Sequence, residues 1–201
     1  MARPRRPFGE DRARVLFAET ADEVLARGYE GASLNAILER SGVAKSSFYH
    51  YFDDKAGLFD ALVREYGAAF DAEIGVDVPM LAPRGPEVSI DALAARLVAA
   101  AKKDPRTLVL GRILAVPDVP RTPAVAGFTL SLMHRMLRAL LLWRGRGEVS
   151  AVLPLRLQFL SLLAVVRVAD QWVLAQGVTE ESAAQAAALI HGVLRVDAAR
   201  R

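Results

Sequence analysis

Cysteine is absent from the 201 residues, and its absence excludes several kinds of site at once. A chain without thiols forms no disulfide scaffold, no thiolate zinc site and no cysteine nucleophile, and it suits a reducing compartment. The basic start of the sequence is not followed by an apolar run, so we expect no signal peptide. The most apolar stretch, residues 153–178, is interrupted by Arg156, Arg167 and Asp170, which argues against a membrane span. We therefore expect a soluble, cytoplasmic protein.

Sequence motifs of catalysis are absent as well. The chain has no HExxH, no GxSxG, no phosphate-binding GxxxxGK[ST] and no GxGxxG. Its three histidines, His50, His134 and His191, are far apart in the sequence and show no metal-ligand spacing. We expect a protein that is not an enzyme and that uses neither a metal nor a cofactor.

The charge balance by itself does not indicate a nucleic-acid partner. The formal net charge is +3, but residues 1–60 contain nine Lys and Arg against ten Asp and Glu. The positive excess therefore belongs to the rest of the chain, and only the placement of charges can identify a DNA-binding surface. With 53% hydrophobic and 24% charged residues the chain has enough apolar material for one domain or two small ones, and disorder is excluded.

Helical spacing of apolar residues runs through most of the chain, which predicts an all-α fold of about nine helices. The first helix is expected at about 10–27, the second runs from its N-cap Ser33 to a stop at Gly42, and the third is expected at 45–51. The fourth is expected to open at Asp54. A segment rich in proline and glycine at 75–86 predicts a domain boundary. Beyond it we expect helices at about 89–101, 105–115, 123–143, 150–176 and 179–197.

The short link between the second and third helices has the proportions of a helix-turn-helix. Gly42 suits the sharp turn because glycine accepts a positive φ. With Phe48 on the core side of the third helix, the other faces carry residues that can donate to phosphates or touch base edges: Lys45, Ser46, Ser47, Tyr49 and His50. Spacing alone leaves open a small three-helix unit with a solvated polar face.

Residues 28–62 resemble the DNA-binding region of TetR-type (TetR/AcrR-like) transcriptional regulators. The resemblance lies in Gly42-Val43, in the run from Ser47 to Phe52, and in Lys55 and Leu58. It implies a helix-turn-helix DNA-binding domain over 1–53, a connecting helix over 54–74, and a helical ligand-binding and dimerisation domain over 75–201. One departure is Ala44, at a position where Ser or Thr is common, so the third helix lacks a side-chain cap.

The resemblance also implies roles for individual residues. Tyr49 and Lys55 are expected to contact phosphates, with Ser33 as a second phosphate clamp. Lys45, Ser46, Ser47 and His50 are expected to face the groove, although His50 is equally consistent with a surface histidine near a phosphate. The arginines at 3, 5 and 6 form either a minor-groove arm over residues 1–9 or an ordinary disordered tail.

The last two helices are expected to form a homodimer, because one recognition helix reads too few base pairs and a pair reads a palindromic operator. The apolar residues assigned to this interface are Leu160, Leu163, Val166, Val173, Leu174, Ala183, Ala187, Ile190 and Leu194. The alternative is that the two helices form an internal core pair.

A pocket for a small apolar or amphipathic effector is expected in the second domain, where polar residues stand in apolar company. The candidate lining residues are Arg112, Phe128, Met136, Trp143, Phe159, Arg167 and Gln171. Aromatic and methionine residues at helical spacing also fit an ordinary core, and Arg167 and Asp170 could pair with each other. The function expected is a ligand-released repressor, with a helical protein–protein adaptor as the alternative.

Overall fold

The computed structural model describes residues 9–75, 84–104 and 106–194, which contain nine helices and no strand. This confirms the all-α prediction. Arg3, Arg5 and Arg6 of the proposed basic arm lie outside the described residues, as does most of the proline- and glycine-rich segment. The helices are α1 Glu10–Gly31, α2 Leu34–Ser41, α3 Lys45–Tyr51, α4 Lys55–Ile74, α5 Gly85–Lys103, α6 Arg106–Leu114, α7 Pro123–Gly145, α8 Leu155–Gln176 and α9 Glu180–Leu194.

The first helix boundaries follow from the capping residues that the sequence offers. The Ser33 hydroxyl accepts a hydrogen bond from the Ala36 N–H (3.4 Å), which begins α2. Asp54 accepts from the Gly57 N–H (2.8 Å), which begins α4. Gly28 interrupts α1 with φ 75° and ψ 168°, so the predicted stop is real, but one further helical turn follows it before the helix ends at Gly31.

The chain divides into two compact units that do not coincide with the expected boundaries at 53/54 and 74/75. The N-terminal unit extends to Gly67 and also includes Arg112–Gly127, and the C-terminal unit consists of Ala68–Gly111 and the chain from Phe128 on. Residues 112–127 therefore group with the first helices, although they follow α5 and most of α6 in the sequence. The physical reason is a set of hydrogen bonds that the carboxylates of Asp60 and Asp118 accept, described below.

The N-terminal unit has its own apolar core. Leu16 and Val24 of α1, Ile37 of α2, Phe48 of α3 and Leu58 of α4 are all at most 1% exposed. The ring of Phe48 also packs against that of Phe52, with 5.4 Å between the centroids. Burial of these side chains, at about 1.5–3 kcal/mol for each, is what holds the short helices α2 and α3 in place.

The C-terminal unit is built on a second core, which unites α5, α7, α8 and α9. Its buried members are Ile90, Ala139, Leu140, Trp143, Val149, Leu162, Ala187 and Leu194. Within this unit α9 packs against both α8 and α5. Alanine at 139 and 187 allows close approach of the helices in this core.

Candidate nucleic-acid interface

The third helix buries one residue and presents polar side chains on its other faces. Phe48 is fully buried, whereas Lys45, Ser46, Tyr49 and His50 are exposed and Ser47 is half-buried. The exposed fraction of Tyr49 is 49% even though its ring lies 5.1 Å from that of Phe48. Five of the seven residues predicted to meet DNA thus share one short helix whose core contact is Phe48.

The turn that precedes this helix is held by main-chain hydrogen bonds. Gly42 has φ 65°, and its N–H donates to the Glu39 and Leu38 carbonyls at the end of α2. The Val43 N–H also donates to the Leu38 carbonyl (3.1 Å), and the Val43 side chain is buried. These bonds satisfy the last carbonyls of α2 and fix the direction in which α3 leaves the turn. Ala44 forms no side-chain cap on α3, as expected.

Lys55 is held by the main chain of residues 28–32, which we call the α1–α2 link. Its Nζ donates to the carbonyl oxygens of Tyr29 (2.7 Å), Glu30 (3.3 Å) and Ala32 (3.0 Å), and it lies 4.5 Å from the centroid of the Tyr29 ring. All three ammonium donors are thereby used. A phosphate contact by Lys55 stays a prediction, and it would require the ammonium to share a donor with one of these carbonyls.

A buried carboxylate accounts for part of the acidic content of the first sixty residues. Glu23 is 4% exposed at its side chain, and its Oε2 accepts from Arg40 Nη2 (2.8 Å). Its Oε1 accepts from the Ser33 N–H (3.2 Å) and lies 3.2 Å from Nε of Arg27. The hydrogen bond from Arg40 and the one from Ser33 outweigh the desolvation of the carboxyl and lower the pKa of Glu23. The N-cap residue Ser33 is thereby fixed through its own N–H.

Two further carboxylates, which the sequence analysis did not single out, connect distant parts of the N-terminal unit. They attach the α6–α7 loop (residues 115–122) to the α1–α2 link and the start of α7 to α4. Asp118 accepts from the N–H groups of Tyr29 (2.9 Å) and Glu30 (2.8 Å), and these bonds lower its pKa. Asp60 of α4 accepts from the Ala124 N–H (2.7 Å) and also pairs with Arg64. The only local signal was an aspartate between two prolines, Pro117 and Pro120, in the sequence VPDVP.

Comparison with known proteins identifies the N-terminal unit. Residues 12–62 match the family model described as "Bacterial regulatory proteins, tetR family". This region spans α1, α2, α3 and the start of α4, which are the elements that build the interface described above. Residues 12–62 are therefore a TetR-type helix-turn-helix region.

The HTH-type transcriptional repressor AcnR of Corynebacterium glutamicum is similar to part of this chain. The two are 41% identical over 56 residues, and the match covers 28% of this chain and 26% of that repressor. Only about a quarter of the relative is therefore matched in sequence.

Solved structures resemble this protein over nearly the whole chain. The fatty acid degradation regulator FadR from Bacillus halodurans has a TM-score of 0.69 at 15% identity, covering 98% of this chain and all of the other. FadR from Bacillus subtilis, solved in complex with stearoyl-CoA, has a TM-score of 0.68 at 14% identity, covering 90% and 97%. At this identity the likeness shows the fold.

The seven residues expected to line an effector pocket are not all brought together. Met136, Trp143 and Phe159 lie in the core of the C-terminal unit, where Trp143 is 4% exposed. The Trp143 Nε1 is buried and has no hydrogen-bond partner among the described residues. The Phe128 ring packs edge-on against Phe70, 5.6 Å between centroids, and Arg112, Arg167 and Gln171 are exposed.

Two other polar residues of the C-terminal unit have structural surroundings that the sequence left open. Gln158 is buried, but Arg144 donates to its Oε1 (2.6 Å) and its Nε2 donates to the Ser150 carbonyl (2.8 Å), so it closes the loop between α7 and α8. Asp170 forms no ion pair with Arg167 within 4 Å in the described chain. Desolvation by neighbouring protein atoms raises the pKa of the Asp170 carboxyl, which lies near Gly111.

The apolar residues of α8 and α9 are divided between the core and the surface. Val173, Ala183, Ala187 and Leu194, assigned above to an interface between subunits, are at most 4% exposed within the single chain and belong to its own core. The exposed residues of α8 instead form a stripe at spacings of three and four. We call this the α8 stripe: Leu157, Leu160, Ala164, Val168 and Trp172.

Among the described residues, two helices, α7 and α8, are long and apolar enough to cross a membrane when judged by length and composition alone. Their most apolar windows are only 11% and 22% buried within the chain, so much of this apolar surface is open. Surface of this kind also fits contact with another protein chain. No group of three or more potential metal ligands occurs among the residues that the structure describes.

Proposed function

We propose that the chain is a transcriptional repressor that binds a palindromic operator as a homodimer and is released by a small apolar or amphipathic ligand. The observation that carries this proposal is the presentation of α3, in which Phe48 is the buried anchor and Lys45, Ser46, Tyr49 and His50 are exposed. The AcnR relative is a transcriptional repressor, and this supports repression as the direction of regulation. A repressor of this kind acts in the cytoplasm, where the DNA is.

The exposed residues of α3 are proposed to divide into two classes. Tyr49, together with Ser33 and Lys55 outside α3, contacts phosphates, which positions the protein without reading sequence. Lys45, Ser46, Ser47 and His50 face base edges in the major groove. Loss of the Tyr49 hydroxyl should therefore weaken binding to every duplex, whereas a change at Lys45 should alter which duplex is preferred.

The homodimer is proposed to form through the last two helices, with the α8 stripe at its centre. Val168 and Leu160 are 55% and 51% exposed, and Trp172 of the stripe is tied to α9 by a hydrogen bond from its Nε1 to Gln185 Oε1 (2.9 Å). Burial of such a stripe between two copies removes apolar area from water. Twofold symmetry then places two α3 helices on half-sites about one helical turn apart.

The effector site is proposed to lie in the C-terminal unit, where Met136, Trp143 and Phe159 share one core. Within the described part of the chain, the N–H of Trp143 Nε1 has no acceptor. An apolar lining with one polar anchor is typical of a small-molecule site. The FadR structure from Bacillus subtilis holds stearoyl-CoA, an amphipathic molecule, and this supports the same chemical class here. To move the DNA-binding state from 99:1 to 1:99, a ligand must prefer the other state by about 10⁴-fold.

Binding of fluorescent duplexes tests the proposed DNA function. An operator is first selected with the wild-type protein from a random duplex pool. The affinity of the protein for this operator is then measured at salt concentrations from about 50 to about 200 mM. We expect log K to fall linearly with log salt, with a slope of about −0.9 for each phosphate neutralised. Failure to select any duplex, together with salt-insensitive binding of a protein partner, would favour the adaptor instead.

A matched pair of variants locates the interface. Lys45→Ala in α3 should weaken binding to the selected operator about tenfold or more and change the sequences recovered in a new selection. Lys102→Ala, an exposed lysine of α5 that pairs with Glu180, makes the same charge change in the C-terminal unit and should leave the selection unchanged. Equal effects of the two variants would contradict the assignment of Lys45.

The effector class is tested by thermal unfolding with stearoyl-CoA and a panel of apolar and amphipathic compounds. A ligand present at 100 times its Kd stabilises the native state by about 2.7 kcal/mol, which raises the unfolding temperature measurably. The same compound should lower the affinity for the selected operator. A broad panel in which nothing changes either quantity would contradict the ligand-release part of the proposal.

A further inference from the structure

Asp118 brings the α6–α7 loop onto the α1–α2 link. Its Oδ1 accepts from the Tyr29 N–H at 2.9 Å and its Oδ2 from the Glu30 N–H at 2.8 Å, across 88 and 89 residues of sequence. Gly28 lies beside this carboxylate with φ 75°. A Cβ at position 28 would lie 2.9 Å from Asp118 Oδ2, closer than real side chains approach. The carboxylate therefore sits where the main chain leaves room only for glycine.

The two N–H groups that Asp118 binds are those that the break at Gly28 leaves without helical partners. Residues 29–31 form a short helical turn after the break, and the first N–H groups of a helical turn have no carbonyl to bind within it. Asp118 supplies the acceptors for this end, and Lys55 supplies donors for the carbonyls of Tyr29, Glu30 and Ala32. The link is thus held from both sides by charged groups far away in sequence, and such hydrogen bonds are the strong ones.

The loop that carries Asp118 is itself restrained. Pro117 and Pro120 flank it at close range, and proline fixes φ and limits the conformations of a loop. The Ala124 N–H, in the first turn of α7, donates to Asp60 of α4. Asp118 is consequently presented by a segment with few alternative conformations.

From these contacts we propose that Asp118 is a positioning residue for DNA binding and the point at which the α6–α7 loop controls the helix-turn-helix. The inference rests on the proposed function. Ser33 and Lys55, two of the expected phosphate contacts, border the link: Ser33 follows it directly and Lys55 is hydrogen-bonded to it. Release of Asp118 lets the link move, and both residues lose their orientation.

In this proposal the α6–α7 loop controls the helix-turn-helix because the loop is covalently continuous with α6. The loop follows directly on α6, so a displacement of the end of α6 pulls on Asp118 before it reaches any other described contact with the link. A ligand that favours the displaced state thereby selects a helix-turn-helix in which the N–H groups of Tyr29 and Glu30 are free. DNA favours the clamped state by the same coupling, because linkage is reciprocal.

Asp118→Asn compared with Asp22→Asn tests the proposal on the full-length protein and the selected operator. Asp22 is exposed on α1 of the same unit, so both variants remove one negative charge. Simple electrostatics predicts that either change strengthens binding to DNA slightly. We expect the opposite for Asp118→Asn, a loss of affinity of about five- to twentyfold relative to Asp22→Asn. The active fraction in a stoichiometric titration should stay unchanged, which a partly unfolded protein would not show.

Hydrogen exchange supplies a second readout that does not depend on DNA. The amides of Tyr29 and Glu30 should exchange at least about tenfold faster in Asp118→Asn than in Asp22→Asn, while amides in the core of α4 keep their rates. If Asp118→Asn lowers the active fraction, Asp118→Glu replaces it in both measurements and should show the same effects at smaller size.

The failures of the two proposals are distinguishable. A wild-type protein that selects no duplex refutes the proposed function. A wild-type protein that binds its operator, with Asp118→Asn binding as tightly as Asp22→Asn, refutes the positioning role. Faster exchange at Tyr29 and Glu30 without any loss of affinity also refutes it, because the clamp would then be irrelevant to DNA.

Discussion

Glu23 is a buried carboxylate that is neutralised within its own unit. Because Arg40 and the Ser33 N–H both bind its charged form, its folded pKa lies below the ordinary value of 4.5. A carboxyl whose pKa is lowered on folding stabilises the native state above its unfolded pKa, and this contribution is lost as the pH falls through the folded pKa. Glu23 should therefore contribute to acid unfolding below about pH 4.5.

Glu23→Gln should lower the free energy of unfolding at pH 7 by about 1–3 kcal/mol, because it removes charge-assisted hydrogen bonds from a buried site. It should also flatten the fall of stability that occurs as the pH decreases from the ordinary pKa of 4.5 through the lowered pKa of the folded carboxyl. Urea unfolding at several pH values measures both effects. Glu65→Gln, an exposed position of α4, is the matched control and should reproduce the wild-type pH profile.

At the scale of elements, α3 is a seven-residue helix without a side-chain cap. Ala44 at its N-cap has φ −61° and ψ 138°, an extended conformation that a capping serine also adopts. Helices this short have little stability of their own, and tertiary packing through Phe48 supplies most of it. The first N–H groups of α3 therefore remain available to water or to a phosphate.

Ala44→Ser should raise the free energy of unfolding by about 1 kcal/mol, because its hydroxyl accepts from an N–H in the first turn of α3. Chemical denaturation at neutral pH measures this gain. Ala44→Val, which keeps an extended backbone but brings no acceptor, should show no such gain. An equal increase in both variants would mean that burial of side-chain area, and not capping, is responsible.

The elements of the interface could be predicted from sequence because their signals are local. Ser33, Gly42 and Asp54 act within three or four residues, and Phe48 and Phe52 reveal their shared face by spacing alone. The partners of Lys55 and Asp118 could not be predicted in this way. Their hydrogen bonds reach main-chain atoms 23 to 89 residues away, and no periodicity encodes the meeting of two distant loops.

The same limit explains why the sequence alone did not divide the apolar residues of α8 and α9 between core and surface. Helical spacing identifies the faces of α8 and α9, but it does not say which face the chain covers by itself. Val173 and Ala187 proved to be core residues, whereas Leu160, Val168 and Trp172 are exposed. The division depends on where α5 and α7 contribute to the common core, and this is a property of the assembled unit.

At the scale of the whole molecule, the α8 stripe is the surface through which we propose that two copies of the chain associate. Val168→Arg should convert a dimer to a monomer and lower operator affinity by at least about tenfold, because a charge would have to be buried between two copies. Sedimentation and duplex binding measure the two effects. Val88→Arg on α5 is matched in residue type and exposure, 52% against 55%, and should leave both unchanged.

A final consequence follows from the membership of Arg112–Gly127 in the N-terminal unit. The simplest hybrid with another regulator is spliced once, near the end of α4, so that everything after this point comes from the other chain. In this protein such a splice would place a foreign loop opposite Tyr29 and Glu30. The N–H groups of these two residues would then lack the acceptors that Asp118 provides. A working hybrid should need three segments, with residues 112–127 transplanted alongside the first sixty-seven.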